Sequence, residues 1–377
     1  MGIVASTLAA RASIVNRFGR PLRKRDRFTT RRERFGPRMR RERAASNFVL
    51  AAQQSRVEIG PMSLSHCAIA LLLIAAREPF AQTAPPPRAH HAVVYDDRAR
   101  RIIVSGGSTS PDGSRFITYD DLWSWDGARW EKMPVVGPAR SSHRVAYDPD
   151  NARLLMIGGY DGRRYFGETL SLMSGAWTLL HDDTAFVRGE PGAAYDTKRK
   201  RLVVFGGSTG PGKALGDTWE YDGRQWTRVA TTGPGPLQAM AMVYDEARSM
   251  TILIGGMNAE RAMNGKTWGW DGTTWRELSA TGPSPRIGSG IAYDAARHEV
   301  VLFGGTGSSF THTGDTWLWN GRAWREAKVA GPSARGMGYM AFDRSRGVTV
   351  LFGGRFKFPE DAADTWEWNG SSWRRVP

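Results

Sequence analysis

From residue 88 onward the chain alternates short apolar runs with polar punctuation in a fixed order. One run, such as Ala92-Val-Val-Tyr95, ends on an aspartate. A second, such as Leu202-Val-Val-Phe205, ends on a glycine pair. A third places two tryptophans two residues apart, as at Trp268 and Trp270. Short runs rich in β-branched and aromatic side chains and bounded by Gly, Asp and Pro predict strands. Period-two alternation puts Trp268 and Trp270 on one strand face. A fourth run, opened by a further tryptophan, follows through Asp126-Gly127, Asp222-Gly223, Asp271-Gly272, Asn320-Gly321 and Asn369-Gly370. Asp-Gly and Asn-Gly favour the positive φ of a tight hairpin. The predicted unit is four antiparallel strands.

The unit recurs. Glycine pairs stand at 106–107, 158–159, 206–207, 255–256, 304–305 and 353–354, spaced by 52, 48, 49, 49 and 49 residues. Ten residues before each lies Asp96, Asp148, Asp196, Asp245, Asp294 or Asp343, each preceded by an aromatic. All 15 tryptophans fall in the six downstream constellations, which end at Trp130, Trp177, Trp226, Trp275, Trp324 and Trp373. The second copy is degenerate, with Leu170 and Leu172 in place of the tryptophan pair and Ser174-Gly175 as its turn. A four-stranded unit cannot bury its faces singly, and six stacked about an axis predict an all-β, six-bladed β-propeller.

A glycine pair after an apolar strand, with a tryptophan about twenty residues on, resembles the kelch-repeat family. The likeness is greatest to bacterial kelch proteins related to the central domain of galactose oxidase, and it covers residues 88–377. The resemblance implies this propeller and leaves function open, since the fold hosts many activities. Many kelch propellers close by exchanging a strand between the chain ends. Here the repeats start at a first strand and stop after a fourth, so closure is expected from packing of blade six on blade one, unless residues 82–87 contribute.

Charge then separates the globular part from what precedes it. The net charge of +15 suggests a polyanion binder, but residues 1–61 carry 15 Lys+Arg against 4 Asp+Glu. Residues 88–377 carry 36 against 32, so nucleic acid is not an expected partner of the propeller. Residues 1–61 read as a disordered Arg-rich tail: a basic arm, a transit-type segment, or sequence upstream of the true start at Met62. Residues 62–84 read as a signal peptide, with an apolar run from Ala68 to Ala76 too short to span a bilayer. The expected location is secreted or periplasmic, as a monomer. Cys67, the single cysteine, lies in that segment and excludes a disulfide framework or cysteine-based zinc site.

Candidate binding residues follow from strand order. The rim carrying the first-to-second turns has short repeats such as Asp196-Thr-Lys-Arg199, whose Asp and Arg are expected to pair locally. The opposite rim carries irregular loops after each glycine pair, the usual place for recognition. Arg88, Arg140, Arg188, Arg286 and Arg335 recur there seven residues before the strand aromatic, with Leu237 in copy four. Five guanidiniums around an axial opening would suit carboxylate or phosphate. In eukaryotic kelch adaptors, cationic residues near equivalent strand starts hold acidic peptides. The competing reading pairs each arginine with the acid opening its third strand, because copy four loses both, carrying Leu237 and Lys266. Phe116, Tyr119, Tyr165, Phe310 and Phe356 are candidate platforms for a sugar or peptide ring, or they pack on the sheet beneath.

No cofactor is expected. No glycine pair is followed by the Lys-Ser/Thr of a phosphate loop. Galactose oxidase binds copper beside a Tyr–Cys cross-link, which cannot form because no cysteine follows residue 67. His91 and His143 share one repeat position, more simply as inheritance than as a metal pair. No catalytic constellation is assignable from spacing. A binding module for a protein or glycan is therefore the expected function. The alternative is a sugar-active enzyme, mutarotase- or epimerase-like, using the central channel, as a further resemblance to exported kelch sialic-acid mutarotases would imply. Gly192, Gly288, Gly290, Gly336 and Gly338 lead to an expectation of tight axial packing.

Overall fold

The computed structural model describes residues 83–377; the expectations for the basic tail and for nearly all of the signal segment fall on residues outside these. The described residues form six antiparallel blades and two small two-stranded sheets in the loops, with one short 3-10 turn at Thr184–Phe186. Blade one comprises Ala92–Asp96, Arg101–Ser105, Asp121–Trp125 and Trp130–Val136, paired in sequence order from the axis outward. The other five repeat this order. Blade five is extended by Arg286–Ile287, which pairs with its long second strand Glu299–Gly307. Blade two keeps all four strands despite its leucines, its outer pair turning through Ser174 and Gly175 at φ 55° and 83°.

The sheets cover one another, as the tryptophan pattern requires. Ala194, Val203 and Phe205 of blade three share one cluster with Leu237, Met242, Leu253 and Trp270 of blade four. Trp125, Trp270, Trp319 and Trp368 are all but inaccessible, and aromatics of this size bury roughly 150–250 Å² each. The tryptophan opening a fourth strand also donates its indole N–H to a threonine of the preceding blade. These bonds are Trp226 to Thr169 (2.8 Å), Trp275 to Thr218 (2.8 Å), Trp324 to Thr267 (2.7 Å) and Trp373 to Thr316 (2.9 Å).

Closure uses the same seam. Trp130 of blade one donates to Thr365 of blade six at 2.9 Å, and Tyr95, Val104 and Trp125 pack with Val350, Phe352 and Val376. No strand is exchanged among the described residues. Ala84 packs against this cluster, and the Arg88 amide reaches the Ala362 carbonyl at 3.1 Å, so the residues before blade one do contribute to the seam. The seam between blades one and two is the exception. Leu122 stands where the other blades have threonine, and among the described residues the Trp177 indole N–H has no partner.

Glycine is required at the pairs because they meet the next blade. Gly158 and Gly159 have φ of 61° and 105°, and a Cβ on Gly158 would lie 2.3 Å from the Arg188 carbonyl oxygen. The Gly159 amide donates to that same carbonyl at 2.9 Å.

Candidate functional site

The five rim arginines are internal. Arg188 donates from Nη1 to the Gly206 carbonyl at 2.8 Å, and its two Nη atoms reach the Asp217 oxygens at 3.1 and 3.3 Å. Arg88 binds the Gly106 carbonyl and Asp121. Arg140 binds Gly158 and Glu168, Arg286 binds Gly304 and Asp315, and Arg335 binds Gly353 and Asp364. Their accessibilities run from 0% to 2%, so these guanidiniums face a carboxylate and a carbonyl of their own blade. In four blades the acid also accepts a tryptophan N–H two residues on, as from Trp219 to Asp217 at 2.6 Å. Burial raises the Asp217 carboxyl, but the Arg188 bonds and charge and the Trp219 N–H outweigh it and hold it below the usual range.

Blade four shows what happens without the guanidinium. Leu237 joins the apolar seam, and Asn264, unflagged by the repeat, donates from Nδ2 to the Gly255 carbonyl at 3.1 Å. Lys266 turns to Glu277 at 2.7 Å. The Trp268 N–H, deprived of an acid, has no partner among the described residues.

The loop aromatics divide into two groups. Tyr119 lies under Arg88 (4.1 Å from guanidinium carbon to ring centroid), Phe356 under Arg335 (4.7 Å), and Tyr165 against Tyr160 with centroids 4.7 Å apart. These pack on the clamps or on each other. Phe116 and Phe358 are 57% and 52% exposed, with ring centroids 6.0 Å apart across the seam of blades one and six. Ile117 beside them is also exposed. Two short hairpins carry this patch, Ser108–Thr109 with Ile117–Thr118 and Arg355–Lys357 with Glu360–Asp361. Phe310 stands apart on blade five, 47% exposed, with Arg261 4.7 Å from its ring. The candidate residues thus do not converge on one point.

A different set of residues converges at the axis. His90, Ser142, Glu190, Ala239, Gly288 and Met337, each two residues after the rim position, all have φ between 53° and 61°. Their backbones bond in a closed cycle. Ser142 N donates to His90 O (2.8 Å), Glu190 to Ser142 (2.8 Å), Ala239 to Glu190 (3.0 Å), Gly288 to Ala239 (2.9 Å), Met337 to Gly288 (2.7 Å) and His90 to Met337 (3.3 Å). On this ring His90 Nδ1 lies 3.4 Å from Glu190 Oε1 and 3.5 Å from Ser142 Oγ. Burial raises the Glu190 carboxyl, but His90, the Arg144 charge and Ser142 together hold it below its ordinary value. Sequence reasoning missed this cluster because six unlike residue types occupy the ring.

Beneath the ring the axis is open, against the expectation of tight packing. A throat of about 80 Å³ is bordered by His91, Arg144, Ser289 and Tyr339. Below it a larger cavity of about 230 Å³ runs to the other mouth, where Arg344 pairs with both Asp97 and Glu246. Gly192 and Gly290 do narrow the axis, but by admitting Met242 and Met340 against their bare backbones. On that second rim Arg199, Arg248, Arg297 and Arg346 pair with the aspartate three residues earlier.

His91 and His143 do not form a pair. The His143 ring faces Ser105 at 3.3 Å, while the His91 ring lies edge-on to Tyr339 and Phe352. Burial and then nearby arginine charge push His143 down to about 3, and burial with Arg88 keeps His91 neutral as well. No group of three or more His, Cys, Asp or Glu side chains placed to hold a metal occurs among the described residues. No protein-family model matches the chain, and no curated protein matches it. The assignment as a propeller therefore rests on the blades themselves.

Proposed function

We propose that this is an exported, kelch-type propeller that binds a protein or glycan through the loops of the glycine-pair rim. The observation that carries this reading is the exposed Phe116–Phe358 pair, which offers apolar ring faces to solvent. Exposed aromatics on a rigid frame suit stacking against a sugar or peptide ring. The buried clamps supply the frame: the arginines beneath fix the loops, and the loops make the contact. The kelch reading is supported by the glycine pairs and tryptophans in their repeated places. Export is decided separately, by N-terminal sequencing of the mature protein.

The test is a glycan and peptide array probed with the intact chain and with Phe116→Ala/Phe358→Ala. Array signal should be lost while the melting temperature stays within a degree or two, since the rings are exposed. Equal signal from both proteins would sink the proposal.

A second reading, chemistry on a sugar in the axial channel, is favoured by one observation: His90, Glu190 and Arg144 meet at its mouth. An anomer-exchange assay over a panel of free sugars tests it. No exchange above the uncatalysed rate would remove it.

A further inference from the structure

We infer that the throat beneath the backbone ring is a binding site for a small monocarboxylate, with Arg144 as its anchor. One arginine at the axis lacks the partner that the others have. The five rim arginines each face a carboxylate, and at the far mouth Arg344 faces two. Arg144 is ion-paired with none: among the described residues its guanidinium makes one hydrogen bond, from Nη1 to the His143 carbonyl at 3.2 Å, and Glu190 acts on it only at longer range. It is nevertheless held in place, its guanidinium carbon 4.8 Å from the centroid of the Tyr339 ring. A planar cation stacked on an aromatic face leaves its N–H edge free for bidentate contact with a carboxylate.

The space beside it is built for a polar guest. The throat of about 80 Å³ has room for roughly two to three waters, or for a carboxylate with a short tail. The polar part of its wall is Arg144, Ser289 and the Tyr339 ring, with the buried His91 behind them. The remaining wall is apolar, with Val93, Val145, Met240 and Ile291.

The charge of the guest follows from Glu190. Its carboxylate lies on the ring above, bonded to His90, close enough to Arg144 to be stabilised by it. Both a monoanion and a dianion gain from the Arg144 guanidinium and are repelled by Glu190, but one cation matches one negative charge, and the surplus charge of a dianion such as phosphate is left against Glu190.

The probes are propionate and its uncharged isostere propionamide, with inorganic phosphate as a third arm, each titrated into the intact chain by calorimetry and saturation-transfer NMR. Propionate should bind, and propionamide and phosphate should bind at least about tenfold more weakly. Arg144→Gln should weaken propionate by about tenfold or more. Glu190→Gln should change it in the opposite direction, tightening propionate severalfold, a gain that a damaged fold does not produce. Should Arg144→Gln misfold by circular dichroism, the Glu190→Gln arm decides alone. Propionamide or phosphate binding as well as propionate, unchanged affinity in Arg144→Gln, no tightening in Glu190→Gln, or no propionate binding would each overturn the assignment.

Discussion

Blades three and four have strands of the same length and order, the same glycine pair and two matching indoles (Trp219 and Trp226, Trp268 and Trp275), yet only one has a clamp. In blade three Arg188 satisfies the Gly206 carbonyl and Asp217, and Asp217 satisfies Trp219. In blade four Leu237, Asn264 and Lys266 divide those duties, and the Trp268 N–H is left without a partner. Two demands are thereby separated. The carbonyl of the first glycine requires a donor, which a guanidinium or an amide can supply. The acid requires a cation, because a largely buried carboxylate with no partner is costly. Once the arginine is absent the acid has no reason to remain, so the two change together. The clamp stiffens a blade but is not what makes it a blade.

The comparison is tested most severely by acid, which acts on four aspartate clamps together. Burial raises Asp121, Asp217, Asp315 and Asp364, but their arginine and tryptophan bonds outweigh it and leave each below the ordinary value. A carboxyl depressed in the folded state adds stability above its unfolded pKa of about 3.9, and that stability is lost as pH falls through the folded value. The denaturant midpoint should hold from about pH 7 to 5 and fall steeply below about pH 4. Arg188→Met/Asp217→Leu, which gives blade three an apolar choice like that of blade four, should flatten part of that fall. An identical pH profile would show that the clamp does not titrate with folding.

Removal of a single donor comes next. Arg188→Ala strands Asp217 and should cost about 3–5 kcal/mol by chemical denaturation. The corresponding loss in blade four, Asn264→Ala, removes three neutral bonds, the half-buried one to the Gly255 carbonyl and two exposed ones with the Lys266 backbone, and should cost about 1–2 kcal/mol. Similar costs in the two blades would show that the buried acid of blade three does not depend on its arginine. The smallest effect is expected from Lys266→Asn, whose amide oxygen offers Trp268 a neutral acceptor without setting an unpaired carboxylate beside Glu277. The new bond is worth about 1 kcal/mol, while the exposed pair with Glu277 that it replaces is worth about 0–1. Net stability should therefore hardly move, and the Trp268 indole N–H resonance should shift downfield. A resonance that stays in place would argue against an acceptor role at this position.

The fold was legible because its signals are local and repeated. Asp271-Gly272 fixes a hairpin, the Trp268–Trp270 spacing fixes a strand face, and six copies multiply each signal. The joint loss of arginine and acid in blade four also pointed to pairing, because a partnership leaves a correlated trace. Asn264 left none, since it replaces an arginine twenty-seven positions away in the chain (Leu237) and binds a backbone atom. The axial ring was equally silent: its bonds join main-chain atoms, and histidine, serine, glutamate, alanine, glycine and methionine carry them alike. Among the aromatics, Phe116 and Phe356 look alike in sequence. Whether each stands free or covers an arginine depends on loop paths that no periodicity encodes.

That ring separates mechanical duty from chemical duty. Each member gives one amide and one carbonyl to its neighbours, so the circuit has no loose end, and inserting a seventh wedge would mean breaking and resealing it. The side chains take no part in the circuit. The pore entrance is therefore an interchangeable bezel, whose six settings can be altered to suit a new guest while the hoop that grips the wheel stays shut.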